Sequence, residues 1–203
     1  MLVFWQQKLV FLATPKTGTT AIENALESLS PMAIQRPPAL KHTSVTRYNR
    51  FVGPWLQAAS GEPFETVALM REPRDWLASW YRYRRRADIE HATRQTQGLS
   101  FDDFVQAWCS DSPPPFADVG MQSKFLTARS GPVLDRLFRY EDIDRFVDFL
   151  EDRLHCEITL PRLNVSPAAE TALSAATETM LRDRAVQDYA LYARLGPDGK
   201  MLG

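Results

Sequence analysis

Lys16, Thr17, Gly18, Thr19 and Thr20 are the residues of this chain whose types and spacing most plainly suit chemistry. They lie in Thr14-Pro15-Lys16-Thr17-Gly18-Thr19-Thr20, after the apolar run Leu9-Val10-Phe11-Leu12-Ala13 and before Ala21 to Leu29, where Ile22, Ala25, Leu26 and Leu29 recur at helical spacing. A strand, a tight polar loop and a helix start are expected. The first turn of a helix leaves N–H groups without acceptors beside the positive end of the helix dipole, so an anion is suited to this place. Gly18 would let the backbone approach a phosphate, Thr19 and Thr20 offer hydroxyl donors, and Lys16 adds a full charge on a movable stem. Read alone, the same residues also suit an ordinary strand-to-helix turn with a surface lysine.

The position of the lysine narrows the chemistry. A nucleotide-binding P-loop ends in Gly-Lys-Ser/Thr, whereas here the lysine comes two residues before the glycine, which disfavours a plain ATPase or GTPase. A second candidate anion group lies downstream, where Arg71 closes the run Phe64-Glu65-Thr66-Val67-Ala68-Leu69-Met70 and Glu72-Pro73 ends it. Pro73 suits the first position of a helix, Ser79 follows Arg71 by eight residues in that helix's second turn, and Asp75 lies one turn before Ser79. Ala39-Leu40-Lys41-His42 reads as a short strand, and a residue at the end of a parallel strand points into the ligand crevice of an α/β sheet. His42 is that residue.

Pro15-Lys16-Thr17-Gly18-Thr19-Thr20 resembles the 5′-phosphosulfate-binding loop of the sulfotransferases that use PAPS (3′-phosphoadenosine 5′-phosphosulfate). Arg71-Glu72-Pro73-Arg74-Asp75-Trp76-Leu77-Ala78-Ser79 is similar to the 3′-phosphate-binding segment of the same family, in the identity and spacing of its arginine and serine. Phe138 to Ile143 resembles the Tyr-Glu-Asp-Leu segment late in the domain, and Leu163-Asn164-Val165-Ser166 a segment before the closing helices of the Golgi-type and bacterial branches. The resemblance implies that Lys16 neutralises the leaving oxygen in sulfuryl transfer. It implies that Thr17 to Thr20, with Pro15 and Lys16 beside them, hold the 5′-phosphate, and that Arg71 and Ser79 hold the 3′-phosphate. It also implies a base for the acceptor hydroxyl or amine. His42 is the candidate, since an unperturbed histidine is largely neutral at physiological pH and able to take a proton.

The elements that must position these groups follow from patterning. A chain of 203 residues, 44% apolar and 24% charged, suits one α/β domain with a sizeable core. Strands alternating with helices predict a mostly parallel sheet of four or five strands, covered by helices on both faces in a P-loop-like fold. The apolar N-terminus, Met1 to Lys8, is read as part of that sheet. Helices are expected over Val45 to Leu56, after Pro73, over Phe101 to Trp108 behind a Ser100 cap, over Met121 to Leu126 closed by Ser130-Gly131-Pro132, and after Glu141-Asp142. Val133 to Tyr140 and Cys156 to Leu160 read as strands. Ser166 and Pro167 are expected to open another helical region, and a last helix buries Leu181, Ala185, Tyr189 and Tyr192 before Gly196-Pro197. Residues 87–120, without strand pattern, are a candidate lid or acceptor-binding insertion.

A net charge of −1 gives the whole molecule no attraction to nucleic acid or an anionic membrane, so an anion site must be local. Cys109 and Cys156 are far apart and in no CxxC pattern, which argues against a disulfide framework or a zinc site, and no metal ligands are assigned. No segment reaches the roughly 18 apolar residues of a membrane span, and a cytoplasmic location is expected. The run Arg82, Arg84, Arg85 and Arg86 reads first as a solvated helix face screened by Asp88 and Glu90, and second as a patch that attracts an anion. The Trp and Tyr residues near it, at helical spacing, read as core. His91 and His155 read as surface residues. Small-molecule, lipid and carbohydrate acceptors stay open, while the resemblance implies a soluble domain of the bacterial type. The rivals to a sulfotransferase are a P-loop-type kinase and a nucleotide-binding module without catalysis.

Overall fold

The computed structural model describes residues 1–89, 91–128, 134–161 and 168–202. Among them, five strands form one sheet: β1 (Leu2–Phe4), β2 (Leu9–Leu12), β3 (Met32–Ala33), β4 (Glu65–Met70) and β5 (Arg136–Arg139), in the order β3-β1-β2-β4-β5. The helices are α1 (Thr19–Leu26), α2 (Pro38–Lys41), α3 (Val45–Arg47), α4 (Gly53–Ser60), α5 (Pro73–Arg84), α6 (Phe101–Cys109), α7 (Gln122–Leu126), α8 (Ile143–Leu154), α9 (Ala175–Arg184) and α10 (Val186–Ala193).

The expected α/β architecture is present, but the sheet is mixed rather than mostly parallel. Strands β2, β4 and β5 run parallel, while β1 pairs antiparallel with both β2 and β3. The physical reason is the short link from Phe4 to Leu9. Parallel neighbours need a long crossover, whereas an antiparallel pair needs only a turn. Lys8 closes that turn with a positive φ of 49°.

The strands alternate between two cores. Val3, Val10, Leu12, Ala68, Met70 and Leu137 pack on one face with Val45, Tyr48, Leu56 and Leu126. Leu2, Leu9, Phe11, Val67, Leu69 and Phe138 pack on the other with Ile22 and Leu26 of α1 and with Phe146 and Leu150 of α8. Burial on both sides explains why these strands read as continuous apolar runs instead of alternating ones. A third core, away from the sheet, joins Trp76, Leu77 and Tyr81 of α5 to Phe101, Phe104, Val105 and Trp108 of α6 and Leu181 of α9. The middle of the candidate lid, residues 87–120, thus contributes buried side chains to this core through α6. A full capping box between Ser100 and Asp103 starts that helix.

Several local expectations are corrected. Ala39 to His42 is not a strand: Pro38 opens the helical turn α2, and His42 follows it as the C-cap. Proline is favourable at a helix's first position, and this preference overrides the short apolar pattern. Residues 157–160 adopt no regular structure, so the expected strand at Cys156 to Leu160 is absent. The last helical region is two helices that meet at Ala185. The run from Val45 to Ser60 is continuous but contains a π-helical stretch, Tyr48–Val52. Ser130-Gly131-Pro132, Val133, the Leu163 to Ser166 segment and Pro167 lie outside the described residues.

Phe146 is fully buried, with ring centroids 5.6 Å from Phe11 and 5.7 Å from Phe138. It therefore ties α8 to β2 and β5 at once. Phe146→Ala is expected to reduce the unfolding free energy by about 3–5 kcal/mol in urea titrations. A loss under about 1 kcal/mol would mean that this face of the sheet relaxes around the cavity.

Candidate anion-binding site

The parallel pairing of β2 and β4, with Leu12 opposite Ala68, brings their carboxyl ends to the same edge of the sheet. The loop after β2 therefore meets Arg71 and the start of α5. Three hydrogen bonds shape and hold the loop. The Thr17 hydroxyl donates to the Thr14 carbonyl at 3.0 Å, the Trp76 indole N–H to the Pro15 carbonyl at 2.9 Å, and Arg71 Nη1 to the Lys16 carbonyl at 3.4 Å. Lys16 and Gly18 both adopt positive φ, 66° and 70°. Gly18 is the N-cap of α1 and no side chain caps it, so the N–H groups of Thr19 and Thr20 precede the first bonds of the helix. The Oγ1 of buried Thr14 has no partner among the described residues. A free anion-facing backbone is what the loop's pattern leads one to expect.

Two loop residues work differently from the sequence reading. The missing Cβ of Gly18 makes room for a protein side chain: a Cβ there would lie 2.9 Å from Tyr140 Cε2. The Thr17 hydroxyl is committed to the loop's own closure. Thr19 is buried, and Thr20 Oγ1 lies 3.5 Å from Lys41 Nζ.

Arg71 is held from several directions. Its backbone N–H donates to Gln122 Oε1 at 2.9 Å, and its carbonyl accepts from Gln122 Nε2 at 2.8 Å. Gln122 is itself fixed, since buried Asp188 of α10 accepts the N–H groups of Gln122 and Ser123 at the start of α7. The Arg71 guanidinium stacks 4.7 Å from the Tyr140 ring centroid and bonds Asp75 Oδ2 through Nε at 2.7 Å and Nη2 at 2.6 Å. Ser79 is 9% exposed, and its hydroxyl has no partner among the described residues.

Lys16 extends over α5, with Nζ 4.1 Å from the Tyr83 ring centroid and 5.6 Å from that of Trp80. Neither aromatic had been assigned a part in the site. Trp80 also packs at the margin of the third core, so the core reading holds for it only in part. Among the described residues Lys16 forms no ion pair. Burial, followed by the nearby charges of Arg71, Arg86 and Arg82, lowers its pKa to about 8.

The basic run divides by helical position. Arg82 reaches toward Asp75 at 3.7 Å, and Arg86 pairs with exposed Asp88 at 2.7 Å. Arg84 is buried and donates to the carbonyls of Pro115 and Asp118, and Arg85 donates to the Tyr81 hydroxyl. Half of the run is thus structural, while Arg82 and Arg86 add charge near Lys16. Glu90 lies outside the described residues.

His42 packs against the strand end that feeds the loop. Its Nδ1 is 2.7 Å from the carbonyl of Ala13, an acceptor only, so Nδ1 carries the proton and Nε2 keeps the lone pair. Burial lowers its pKa below the ordinary 6.5, partly opposed by that hydrogen bond. Neighbouring Lys41 pairs at 2.6 Å with buried Glu23 of α1, which anchors α2 to the loop's helix. Among the described residues no hydrogen bond or ion pair joins His42 to Lys16, Arg71 or Ser79. His91 and His155 are exposed.

The structure thus brings Pro15, Lys16, Thr17, Gly18 and Arg71 together, sets Ser79 one helical turn beyond Asp75, and places His42 against the strand end that feeds the loop. The chemistry this permits is binding of a polyanion across Lys16 and Arg71. Trp76, Trp80, Tyr83, Gln122 and Tyr140 were missed as parts of the site; Trp76, Trp80 and Tyr83, at i, i+4 and i+7 of α5, carried a periodic signal. No group of histidine, cysteine and acidic side chains suited to a metal occurs among the described residues. Among them, too, no helix is long and apolar enough to cross a membrane. No protein-family model matches the chain, and no curated protein matches it.

The depressed pKa of Lys16 has a readable consequence. Between about pH 8 and the ordinary value of 10.5, the unfolded chain holds this proton and the folded chain does not. Stability from this group therefore rises with pH across that window, and below it the buried charge destabilises the fold. Lys16→Met is expected to be more stable than wild type at pH 7, on the order of 1–2 kcal/mol after loss of the aromatic contacts. In urea denaturation at a series of pH values, that advantage should shrink from pH 8 upward. An advantage that stayed constant with pH would contradict the assignment.

Proposed function

We propose that this protein is a sulfotransferase that moves the sulfuryl group of PAPS to a hydroxyl or amine. The observation that carries the reading is the bond from the Arg71 guanidinium to the carbonyl of Lys16, which joins the loop after β2 to the end of β4, as one binding surface for two anionic groups would require. The chain's own groups fit such a ligand. The N–H groups of Thr19 and Thr20 are uncapped, buried Thr14 Oγ1 and nearly buried Ser79 lack partners, and Lys16 carries a charge with no ion pair. When bound, PAPS supplies the activated sulfuryl group, transferred with cleavage of its bond to the 5′-phosphate oxygen.

Each residue's part follows from its chemistry. Lys16, on a movable stem and protonated below about pH 8, is the cation that balances charge developing on the leaving oxygen. The loop N–H groups bind the 5′-phosphate. Arg71 and Ser79 bind the 3′-phosphate and so separate PAPS from ATP. His42 Nε2 takes the acceptor's proton, because Nδ1 is already engaged and burial keeps the ring neutral to lower pH. A soluble cytoplasmic setting, and small-molecule, lipid or carbohydrate acceptors, belong to this proposal as well.

Calorimetry with adenosine 3′,5′-bisphosphate tests the reading. Tight binding is expected, weakened about tenfold or more by Arg71→Ala through loss of a charge-assisted contact. Lys16→Ala is expected to abolish transfer of labelled sulfate. Clear binding of ATP with none of the bisphosphate would overturn the proposal.

A further inference from the structure

Asp75 is set where a negatively charged ligand group would have to lie. Its Oδ2 accepts from both Nε and Nη2 of Arg71, and its Oδ1 lies 3.7 Å from Arg82 Nη2. Asp75, Ser79 and Arg82 stand at i, i+4 and i+7 of α5 and therefore share one face of the helix. On that face the Ser79 hydroxyl has no partner among the described residues. A phosphate held by Arg71 and Ser79 would meet the Asp75 carboxylate at close range, and like charges so placed repel. Arg71 itself is not free to move away, because Gln122 grips its backbone and Tyr140 lies under its guanidinium. The carboxylate is: the Asp75 side chain is 45% exposed, whereas that of Arg71 is 15% exposed.

Resting on the two-phosphate reading above, we propose that Asp75 acts as an internal stand-in for the 3′-phosphate, and that ligand binding exchanges its partner from Arg71 to Arg82. In the free protein the carboxylate neutralises Arg71, so the half-buried guanidinium is never left without an anion. On binding, the phosphate takes Arg71 and Ser79, and Asp75 completes the approach to Arg82 that its Oδ1 has already begun. Arg82 is then a positioning residue that touches no ligand atom. The exchange makes the site selective for a group with enough charge to displace a carboxylate, which a ribose hydroxyl lacks.

The test is a double-mutant cycle on Asp75 and Arg82, titrated by calorimetry with adenosine 3′,5′-bisphosphate and with adenosine 5′-monophosphate. Asp75→Asn is expected to tighten the bisphosphate about threefold or more, the scale of a partly exposed ion pair, and to leave the monophosphate unchanged. Arg82→Ala is expected to weaken the bisphosphate by a similar factor, and that loss should vanish when Asp75→Asn is also present. Asp75→Ser serves as a second variant, with thermal melting to confirm folding. Unchanged or weaker bisphosphate binding in both Asp75 variants would overturn the exchange and make Asp75 a brace for Arg71. Additive effects of the two substitutions would overturn the role of Arg82. Wild-type protein that binds neither nucleotide would overturn the two-phosphate reading, and this inference with it.

Discussion

The left-handed backbone at Lys16 is the constraint from which the rest of the site follows. An L-residue with a side chain adopts φ near 66° at a cost of about 1–2 kcal/mol, and it persists only where its surroundings enforce it. The enforcement comes from outside the loop as well as within it. Trp76 and Arg71 hold the carbonyls of Pro15 and Lys16, and Thr17 closes the turn on Thr14. Two of these three anchors belong to the end of β4 and the start of α5. The loop after β2 and the arginine downstream are thus one mechanical unit, and Lys16 is delivered over the face of α5 instead of into solvent.

Charge is concentrated there although the molecule as a whole is nearly neutral. Burial first, and then the nearby guanidinium groups of Arg71, Arg86 and Arg82, depress the pKa of Lys16. Aromatic faces, not carboxylates, receive the lysine: Tyr83 and Trp80 offer the negative face of their rings without offering an anion that a ligand must displace. Arg71 is treated in the opposite way, with a carboxylate on its guanidinium. The contrast leaves one cation facing aromatic rings and the other paired with a carboxylate.

Much of this was legible in the sequence where a rule of local chemistry is strong. Strands β2 and β4 announced themselves as apolar runs because helices cover both faces of the sheet. Helices α5 and α6 announced themselves through Pro73 and the Ser100 cap, and with them the places of Arg71 just past a strand end and of Ser79 within the following helix. The hairpin that makes the sheet mixed was not legible, since Trp5-Gln6-Gln7-Lys8 contains none of the glycine or asparagine that usually signals a tight turn. Strand β3, with two residues, is below the length at which a pattern exists. The placement of His42 failed for a related reason, because four residues cannot distinguish a strand from a helical turn, and Pro38 decided the matter. Gln122, Asp188 and Tyr140 reach the site only through tertiary contacts, which leave no mark on local sequence.

A sulfotransferase site of this kind requires that one ligand bridge the loop after β2 and the end of β4. A crystal structure with adenosine 3′,5′-bisphosphate measures this directly. The account predicts the 5′-phosphate on the N–H groups at the start of α1, the 3′-phosphate between Arg71 and Ser79, and His42 Nε2 facing the position of the transferred group. A nucleotide bound elsewhere, or one whose 3′-phosphate lies in solvent away from Arg71, would contradict it.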